Sequence, residues 1–382
     1  MKILCVDVGT GTQDVLLYDS ALDLENAYRL IVPSPTLMAQ RRIQAATRRR
    51  SAVLITGHLM GGGPSYWAAR DHVRAGLTLY ATPDAARTFD DDLELVQKKM
   101  GVRVVSADEA RALGEAVERI EFKDFDFERL AQALAGFGVD AHRLDAVAVA
   151  VFDHGAAPPG YSDRQFRFDY LAEHCQSAQR LTAFAHRGEA IPAGLTRLQA
   201  AADSVREQGL AMPLVVMDTA PAAILGATFD PVVARAVEGG ALVANVGNFH
   251  CLVFRLAEGG IEGFFEHHTG EVTAEKLDRL TGALADGTLQ HCDVFDDQGH
   301  GALVYATTPM PSPRFLAVVG PRRSLLRDSR MAPYMAVPYG DMMNAGNFGL
   351  LAALADLHPE FAEPIGRSLA GQGGAAPWEE ST

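Results

Sequence analysis

The sequence predicts an α/β protein of two similar domains, each a mixed sheet flanked by helices, with a cleft between them. Short apolar segments alternate with helical patterns along 382 residues, a length typical of two domains. A strand, a polar glycine-bearing turn and a second strand occur near residue 7 and again near residue 247. This repetition indicates a duplicated fold. We expect a first domain over residues 1–212, a second over 213–370, and a flexible tail over 371–382.

The elements of each half follow from apolar runs and their spacing. In the first half we expect strands at 3–6, 15–18, 52–55, 77–80 and 146–152, and helices beginning near Ser65 and spanning 127–135. In the second half we expect strands at 214–217, 242–246, 252–256 and 316–319, and an apolar helix at 346–355.

Composition excludes several classes of protein. A net charge of -14 disfavours nucleic acid as a partner. No apolar run reaches the roughly 18 residues that span a bilayer, and Asp7 interrupts the first apolar run, which is atypical of a signal peptide, so we expect a cytoplasmic protein without a membrane partner. The four cysteines are far apart and form no CxxC motif, which disfavours an iron–sulfur cluster, a zinc knuckle or a disulfide framework.

The segment from Asp7 to Asp14 (DVGTGTQD) has the composition of a phosphate-binding turn. Its glycines let backbone N–H groups approach an anion, and its threonine hydroxyls add donors. Asp7 fits such a turn if it faces Mg²⁺, directly or through water. The alternative is a glycine-rich hairpin turn with an exposed aspartate.

The segment DVGTGTQDVLLYD resembles the first phosphate motif of actin-like ATPases (the ASKHA superfamily), and most closely that of FGGY-type carbohydrate kinases. Residues 146–155 (AVAVAVFDHG) resemble the third core strand of those kinases, and 215–226 resembles the segment that opens their second domain. Residues 244–248, 319–324 and 344–352 resemble the second phosphate turn, the adenosine loop and the closing helix. The strings GHLMGGGP, DHG, EHHTG and GHGA are also similar to a domain-of-unknown-function family of this clan, labelled pyruvate formate-lyase activating enzyme-like.

The resemblance implies two ribonuclease H-like domains that close over ATP and Mg²⁺. Asp218 would take the proton from the attacking hydroxyl, although a plain helix N-cap is an equal reading of an aspartate in that position. Asp7 would be the carboxylate on the Mg²⁺ side. The residues implied to bind the nucleotide are Gly9, Thr10, Gly11, Thr12, Asn245, Gly247, Asn248, Gly320, Pro321, Arg322 and Gly346.

Two positions depart from the kinase pattern. Asp14 stands where the kinases carry Lys or Arg, which removes a positive charge from the phosphate turn. Asn245 and Asn248 replace the Asp, Thr or Ser common in second phosphate turns. Amides can still donate to phosphate, so binding tolerates this change more easily than hydrolysis does.

Candidate substrate residues lie in loops rich in glycine and histidine. The triple glycine before the helix near Ser65 is either a substrate cradle or a flexible turn. Histidines at turns and strand ends could converge in the cleft as an acid–base pair or a transition-metal site, whereas isolated surface histidines are the alternative for any one of them. The candidates are His58, Gly61, Gly62, Gly63, Asp153, His154, His267, His268 and His300, with His250 in a similar turn.

Three functions remain open from the sequence. The first is an ATP-dependent, kinase-like enzyme that transfers a phosphoryl group to an unidentified small polar acceptor. The second is an ATPase that activates or remodels a partner protein. The third is a nucleotide-binding module without hydrolysis, which Asp14 and the asparagine-bearing turn favour. Partners would be the nucleotide and a small molecule, with room for a protein partner or a homodimer.

Overall fold

The computed structural model describes residues 1–372 and 374–379. Its strands, in chain order, are β1 (Lys2–Val8), β2 (Thr12–Asp19), β3 (Tyr28–Pro33), β4 (Val53–Gly57), β5 (Leu79–Ala81), β6 (Arg103–Val104), β7 (Glu118–Phe122), β8 (Ala146–Val151), β9 (Ala185–Arg187), β10 (Leu214–Asp218), β11 (Ala241–Val246), β12 (His250–Ala257), β13 (Gly260–His268), β14 (Gly301–Val304), β15 (Leu316–Val319) and β16 (Tyr334–Met335).

The α-helices, in chain order, are α1 (Pro35–Arg49), α2 (Pro64–Arg74), α3 (Pro83–Ala86), α4 (Leu93–Leu95), α5 (Ala107–Ala112), α6 (Phe127–Ala135), α7 (Asp163–Ala178), α8 (Thr196–Arg206), α9 (Thr219–Ala227), α10 (Pro231–Glu238), α11 (Ala274–Asp286), α12 (His291–Phe295), α13 (Ala345–Leu357) and α14 (Ala362–Leu369).

Two six-stranded sheets share one five-stranded topology, and the sixth strand, β9 beside β10 and β14 beside β13, lies at opposite edges. The first has the order β3-β2-β1-β8-β10-β9 and the second has the order β14-β13-β12-β11-β15-β16. In each, three antiparallel strands form a meander, and two further strands run parallel to the first strand of that meander. This is the duplicated ribonuclease H-like arrangement expected from the sequence, so the predicted fold class is confirmed.

A smaller parallel sheet is inserted into the first domain between β3 and β8. Its order is β6-β5-β4-β7, and it has its own apolar core with α1 and α2. Helix α1 begins at a proline after Ser34, whose side chain accepts a hydrogen bond from the Leu37 N–H and caps the helix. The insertion carries the predicted glycine-rich loop.

The predicted domain boundary at residue 212 needs correction. Strand β10, expected to open the second domain, pairs in parallel with β8 and so completes the first sheet. Helix α9, which follows β10, packs on β11 and β15 of the second sheet, whereas α13, near the C-terminus, packs back on β1, β8 and β10. The two domains therefore exchange helices, which an apolar pattern alone does not reveal.

Helices α9 and α13 pack against each other between the sheets at glycines. A Cβ atom placed on Gly226 would lie 1.7 Å from the Ala345 carbonyl oxygen, and one on Gly349 would lie 2.0 Å from the Ala222 carbonyl oxygen. The helix backbones are therefore in direct contact. The surrounding core is continuous from the first sheet into the second.

The described part of the predicted tail has defined contacts. Ala375 forms an isolated bridge with Leu22, and its N–H donates to the Ala21 carbonyl at 2.9 Å. Residues 373 and 380–382 of the predicted tail lie outside the described residues. Within 1–372 and 374–379, no lone helix has both the length and the apolar character to cross a bilayer; α9 and α10 meet those criteria only as a pair bent by 90°.

Candidate functional site

The two predicted phosphate turns line one cleft between the sheets. The β1–β2 turn comes from the first domain and the β11–β12 turn from the second. A Cβ atom on Gly11 would lie 3.1 Å from the Asn248 side-chain nitrogen, so the turns face each other at contact distance. The cleft has a cavity volume of about 100 Å³ and is lined by Asp7, Val8, Gly9, Thr10, Thr12, Asp14, Phe152, Arg197, Thr219, Ala220, Ala223, Asn245, Gly247, Asn248, Phe249, His250, Val319, Gly320, Pro321, Met342, Met343, Ala345 and Gly346.

Two buried carboxylates lie side by side on the cleft wall. Asp7 and Asp14 are direct partners in the β1–β2 register, and each is less than a tenth exposed. Burial raises the pKa of Asp7 to about 7, and the Thr219 hydroxyl, which donates to Asp7 Oδ1 at 2.5 Å, partly offsets this rise. Burial, with the neighbouring charges of Asp7 and Asp341, raises the pKa of Asp14 to about 8.

Asp14 has an unsatisfied oxygen. Its Oδ1 atom is buried and has no hydrogen-bond partner among the described residues. An unpaired buried carboxylate oxygen is unfavourable unless a proton or a cation meets it. Two adjacent carboxylates are the oxygen donors that Mg²⁺ prefers, so the residues present fit that ion.

The predicted adenosine loop and closing helix border the same cleft. The Gly320 N–H donates to the Met342 sulfur at 3.1 Å, and Pro321 adds a further apolar surface. Gly346 lies against Asp7, since a Cβ there would be 1.9 Å from Asp7 Oδ2. Arg322 is exposed and is absent from the cleft lining, although its N–H donates to the Val246 carbonyl at 2.9 Å.

Asp218 does not lie in the cleft. Its side chain is fully buried, caps α9 through the Ala220 N–H, and forms a bidentate ion pair with Arg167. Arg167, also fully buried, contacts Glu266 as well, with its Nε 3.1 Å from Glu266 Oε2. Because both carboxylate oxygens are engaged, the geometry favours the capping alternative over the predicted role of Asp218 as a catalytic base.

The glycine-rich loop packs on the protein itself. A Cβ on Gly61 would lie 2.6 Å from an Arg197 guanidinium nitrogen, and one on Gly63 would lie 2.6 Å from the Phe249 ring. Gly63 also has φ +59° at the start of α2, a backbone conformation that favours glycine. The groups that come close to these glycines are therefore the side chains of Arg197 and Phe249, not a substrate. Gly61, Gly62 and Gly63 do not line the cleft.

His58 and Asp153, both predicted on the substrate side, have structural partners. His58 Nε2 lies 2.8 Å from Glu207 Oε1. Asp153 is buried and accepts hydrogen bonds from the N–H groups of Gly155, Arg197 and Leu198, which fixes the start of α8. Burial raises the pKa of Asp153 to about 6, although hydrogen bonds to its carboxylate lower the pKa and partly offset the rise. Neither residue lines the cleft.

Four histidines at turns and strand ends, His154, His250, His268 and His300, converge at the edge of the cleft. His250, His268 and His300 have ring centroids between 4.5 and 5.2 Å apart, and His154 lies 5.3 Å from His250. Burial and neighbouring histidines lower the pKa of His300 to about 2 and the pKa of His250 well below its usual value. His267, by contrast, is buried beside Asp297, with 3.8 Å between Nε2 and Oδ2.

Several residues of the site had no signal of their own in the sequence. Thr219 bonds Asp7, Arg197 binds Asp124 with its Nε at 2.9 Å, and Asn347 donates to the Asp14 carbonyl at 2.9 Å. Thr219 and Asn347 lie within segments that resemble kinase motifs, so a fuller comparison of those segments could have identified them. Arg197 lies in a helix of ordinary composition and could not have been singled out.

Comparison with solved structures finds distant similarities. An exopolyphosphatase-like protein is 10% identical (TM-score 0.28), the ethanolamine utilization protein EutJ from Carboxydothermus hydrogenoformans is 12% identical (0.29), and a ROK hexokinase from Thermus thermophilus is 13% identical (0.21). The matches cover 84, 93 and 68% of this chain and 66, 89 and 47% of those proteins, so the chain spans just under two thirds of the first protein and about half of the third. No curated protein matches.

A protein-family model matches residues 60–325, well over half of the chain. The model is described as "Putative pyruvate format-lyase activating enzyme (DUF1786)". The matched region contains the triple glycine, the histidine cluster and the second phosphate turn. This chain belongs to the DUF1786 family.

Proposed function

We propose that this protein binds ATP with Mg²⁺ in the cleft between its domains and transfers the γ-phosphoryl group to a small polar acceptor. The observation that carries the proposal is the contact of two glycine-bearing turns, one from each domain, beside a pair of buried carboxylates. Backbone N–H groups of both turns, with the hydroxyls of Thr10 and Thr12, are the donors a triphosphate requires.

Mg²⁺ would be held by Asp7 and Asp14 and would neutralise charge on the phosphates. Asp14 then has a role despite the loss of the basic residue usual at this position. The unpartnered Asp14 oxygen and the raised pKa of both carboxylates support a cation at this position. The apolar surface of Met342, Met343 and Pro321 would accept the purine.

A second candidate is an ATPase that acts on a partner protein. The sequestration of Asp218 by Arg167 favours it, because the base that would activate an acceptor hydroxyl in the resembling kinases is unavailable here. Transfer to an acceptor requires a different base. Among the residues that line the cleft, His250 is the one histidine, and its pKa lies well below the usual value, so it is neutral at pH 7.

The family description does not agree with the cysteines of this chain. Cys5, Cys175 and Cys251 are buried in three separate elements, β1, α7 and β12, and Cys292 is exposed in α12. Activating enzymes of that name use an iron–sulfur cluster held by cysteines, and such a cluster needs several thiolates in mutual reach. Within the described residues these side chains do not fit such a cluster, and we derive no activating chemistry from it.

The test is isothermal titration of ATP with and without Mg²⁺, followed by release of phosphate with and without a panel of metabolites. We expect Mg²⁺-dependent binding that Asp7→Asn removes and that Asp19→Asn, at the far end of the same hairpin, retains. Turnover that requires an acceptor supports the phosphotransferase, and turnover without one supports the ATPase. Absence of nucleotide binding by the native protein would refute both.

A further inference from the structure

The histidine cluster is placed by the second sheet. His250 begins β12, His268 ends β13, and the two are direct partners in the strand register. His300 directly precedes β14, whose first residue, Gly301, pairs with Glu266 of β13. Three imidazoles thus stand at the same end of three neighbouring strands. His154 reaches the group from the first domain, 5.7 Å from His300 between ring centroids.

The ring nitrogens of this cluster are largely unpaired. His250 Nε2 and both nitrogens of His300 are buried and have no hydrogen-bond partner within the described residues. One atom from each of His250, His268 and His300 can be chosen so that all three lie within 4.8 Å of one another. Buried polar atoms are normally paired, so three unpaired nitrogens in one place point to a missing ligand.

One hydrogen bond orients a ring as metal-binding histidines are oriented. His268 Nδ1 lies 2.7 Å from the Gln298 carbonyl, which makes Nδ1 the protonated nitrogen and leaves the lone pair on Nε2. A backbone carbonyl behind the ring is a usual support of a metal-bound imidazole. Glu266 Oε2 lies 3.9 Å from His300 Nδ1, beyond hydrogen-bond distance, so both His300 nitrogens are available to a ligand.

Charged groups of both signs lie behind the cluster. Asp218 and Glu266 share the single guanidinium of Arg167, and all three side chains are fully buried. Arg164 donates to the Gly299 carbonyl, directly before His300, and has no carboxylate partner within the described residues. The charges therefore nearly balance, and it is the imidazole nitrogens themselves that favour a cation.

We infer that His250, His268 and His300 bind one divalent transition-metal ion. Imidazole nitrogen favours the ions from Fe²⁺ to Zn²⁺ over Mg²⁺, which prefers oxygen. The site is distinct from the Asp7–Asp14 pair but shares His250 with the cleft. Three protein ligands leave a position at which water or a substrate can bind.

Metal binding is tested on the full chain without nucleotide, so the result is independent of the proposed function. Protein freed of metal by chelation is titrated with Zn²⁺ by calorimetry and with Co²⁺ by visible absorption, in excess Mg²⁺. We expect one equivalent per chain and the ligand-field bands of a nitrogen-bound Co²⁺. His268→Gln and His300→Gln should each weaken binding by on the order of 100-fold or more.

The matched control is His186→Gln, which removes an imidazole whose buried Nε2 is also unpaired but which lies outside the cluster. We expect its affinity to equal that of the unaltered chain. The inference is overturned if the unaltered chain binds no stoichiometric Zn²⁺ or Co²⁺, or if His186→Gln loses binding as the cluster variants do. The Co²⁺ spectrum of the unaltered chain decides the matter even if a cluster variant fails to fold.

Discussion

Replacing Asp14 by Asn tests whether the carboxylate pair is electrostatically unfavourable without a cation. The pKa of Asp14 is raised from 3.8 to about 8, chiefly by burial. In the unfolded chain this group loses its proton near pH 4, whereas in the folded chain it keeps the proton to about pH 8. Its contribution to stability is therefore fully present below about pH 4 and is lost as the pH rises towards 8.

The magnitude follows from the displaced pKa. One pKa unit corresponds to about 1.4 kcal/mol, so raising the pH from about 5.5 to about 9 costs the unaltered chain at most about 3 kcal/mol at this group. The charge of the neighbouring Asp7 accounts for part of the raised pKa of Asp14, and the two groups titrate together. We therefore expect a loss of stability of about 2 kcal/mol that is due to Asp14. Asn carries no charge and avoids this loss. The stability advantage of Asp14→Asn should therefore grow by about 2 kcal/mol over this range of pH.

The assay is thermal unfolding at several values of pH, in chelator and without nucleotide. Asp19→Asn, on the same strand but with a partly exposed side chain, is the control and should show no such growth. Adding ATP with Mg²⁺ at pH 9 should stabilise the unaltered chain more than Asp14→Asn, since binding to the native state alone raises stability by mass action. An advantage of Asp14→Asn that stays constant between pH 5.5 and 9 would refute this reasoning.

Three further predictions concern packing around the cleft. Gly346→Ala should weaken ATP binding by about tenfold or more in a calorimetric titration, because the new Cβ would displace the Asp7 carboxylate. The control Gly366→Ala, whose Cβ would lie in open space on α14, should leave the Kd unchanged. Gly349→Ala should lower the free energy of unfolding in urea by several kcal/mol, because the new Cβ would overlap the backbone of α9. The control Gly282→Ala meets nothing within 4 Å and should be neutral or stabilising by up to about 1 kcal/mol. Asp218→Asn should cost about 3 kcal/mol of stability by leaving Arg167 with one carboxylate, without changing nucleotide affinity; loss of turnover at unchanged stability would instead restore its role as a base.

Much of the fold could be predicted because its determinants are local. The helix at 127–135 and the strand at 316–319 were predicted with the bounds that the structure has, since each is a short apolar pattern between turn residues. Both phosphate turns are marked by glycines between apolar runs. The assignment of β10 to a sheet could not be predicted in the same way, because a buried strand reads alike whichever sheet it joins.

The chemistry of the site was harder to predict. The segment containing Arg167 has the composition of a surface helix, yet Arg167 is fully buried between Asp218 and Glu266. This group of three buried charges forms only through tertiary contacts between segments that are distant in the sequence. The histidines lie at strand ends and in turns, which the sequence indicates, but only the sheet register determines that His250 meets His268 while His267 faces Asp297.

The direct backbone contact of α9 and α13 constrains movement of one helix against the other. Gly226 meets Ala345 and Gly349 meets Ala222, so the helices run in opposite directions and touch at two places one turn apart. Because carbonyl oxygens occupy the space that a side chain at either glycine would need, sliding α9 along α13 would force atoms into overlap. Two points of contact also oppose rotation about either one, so this helix pair fastens the two sheets together.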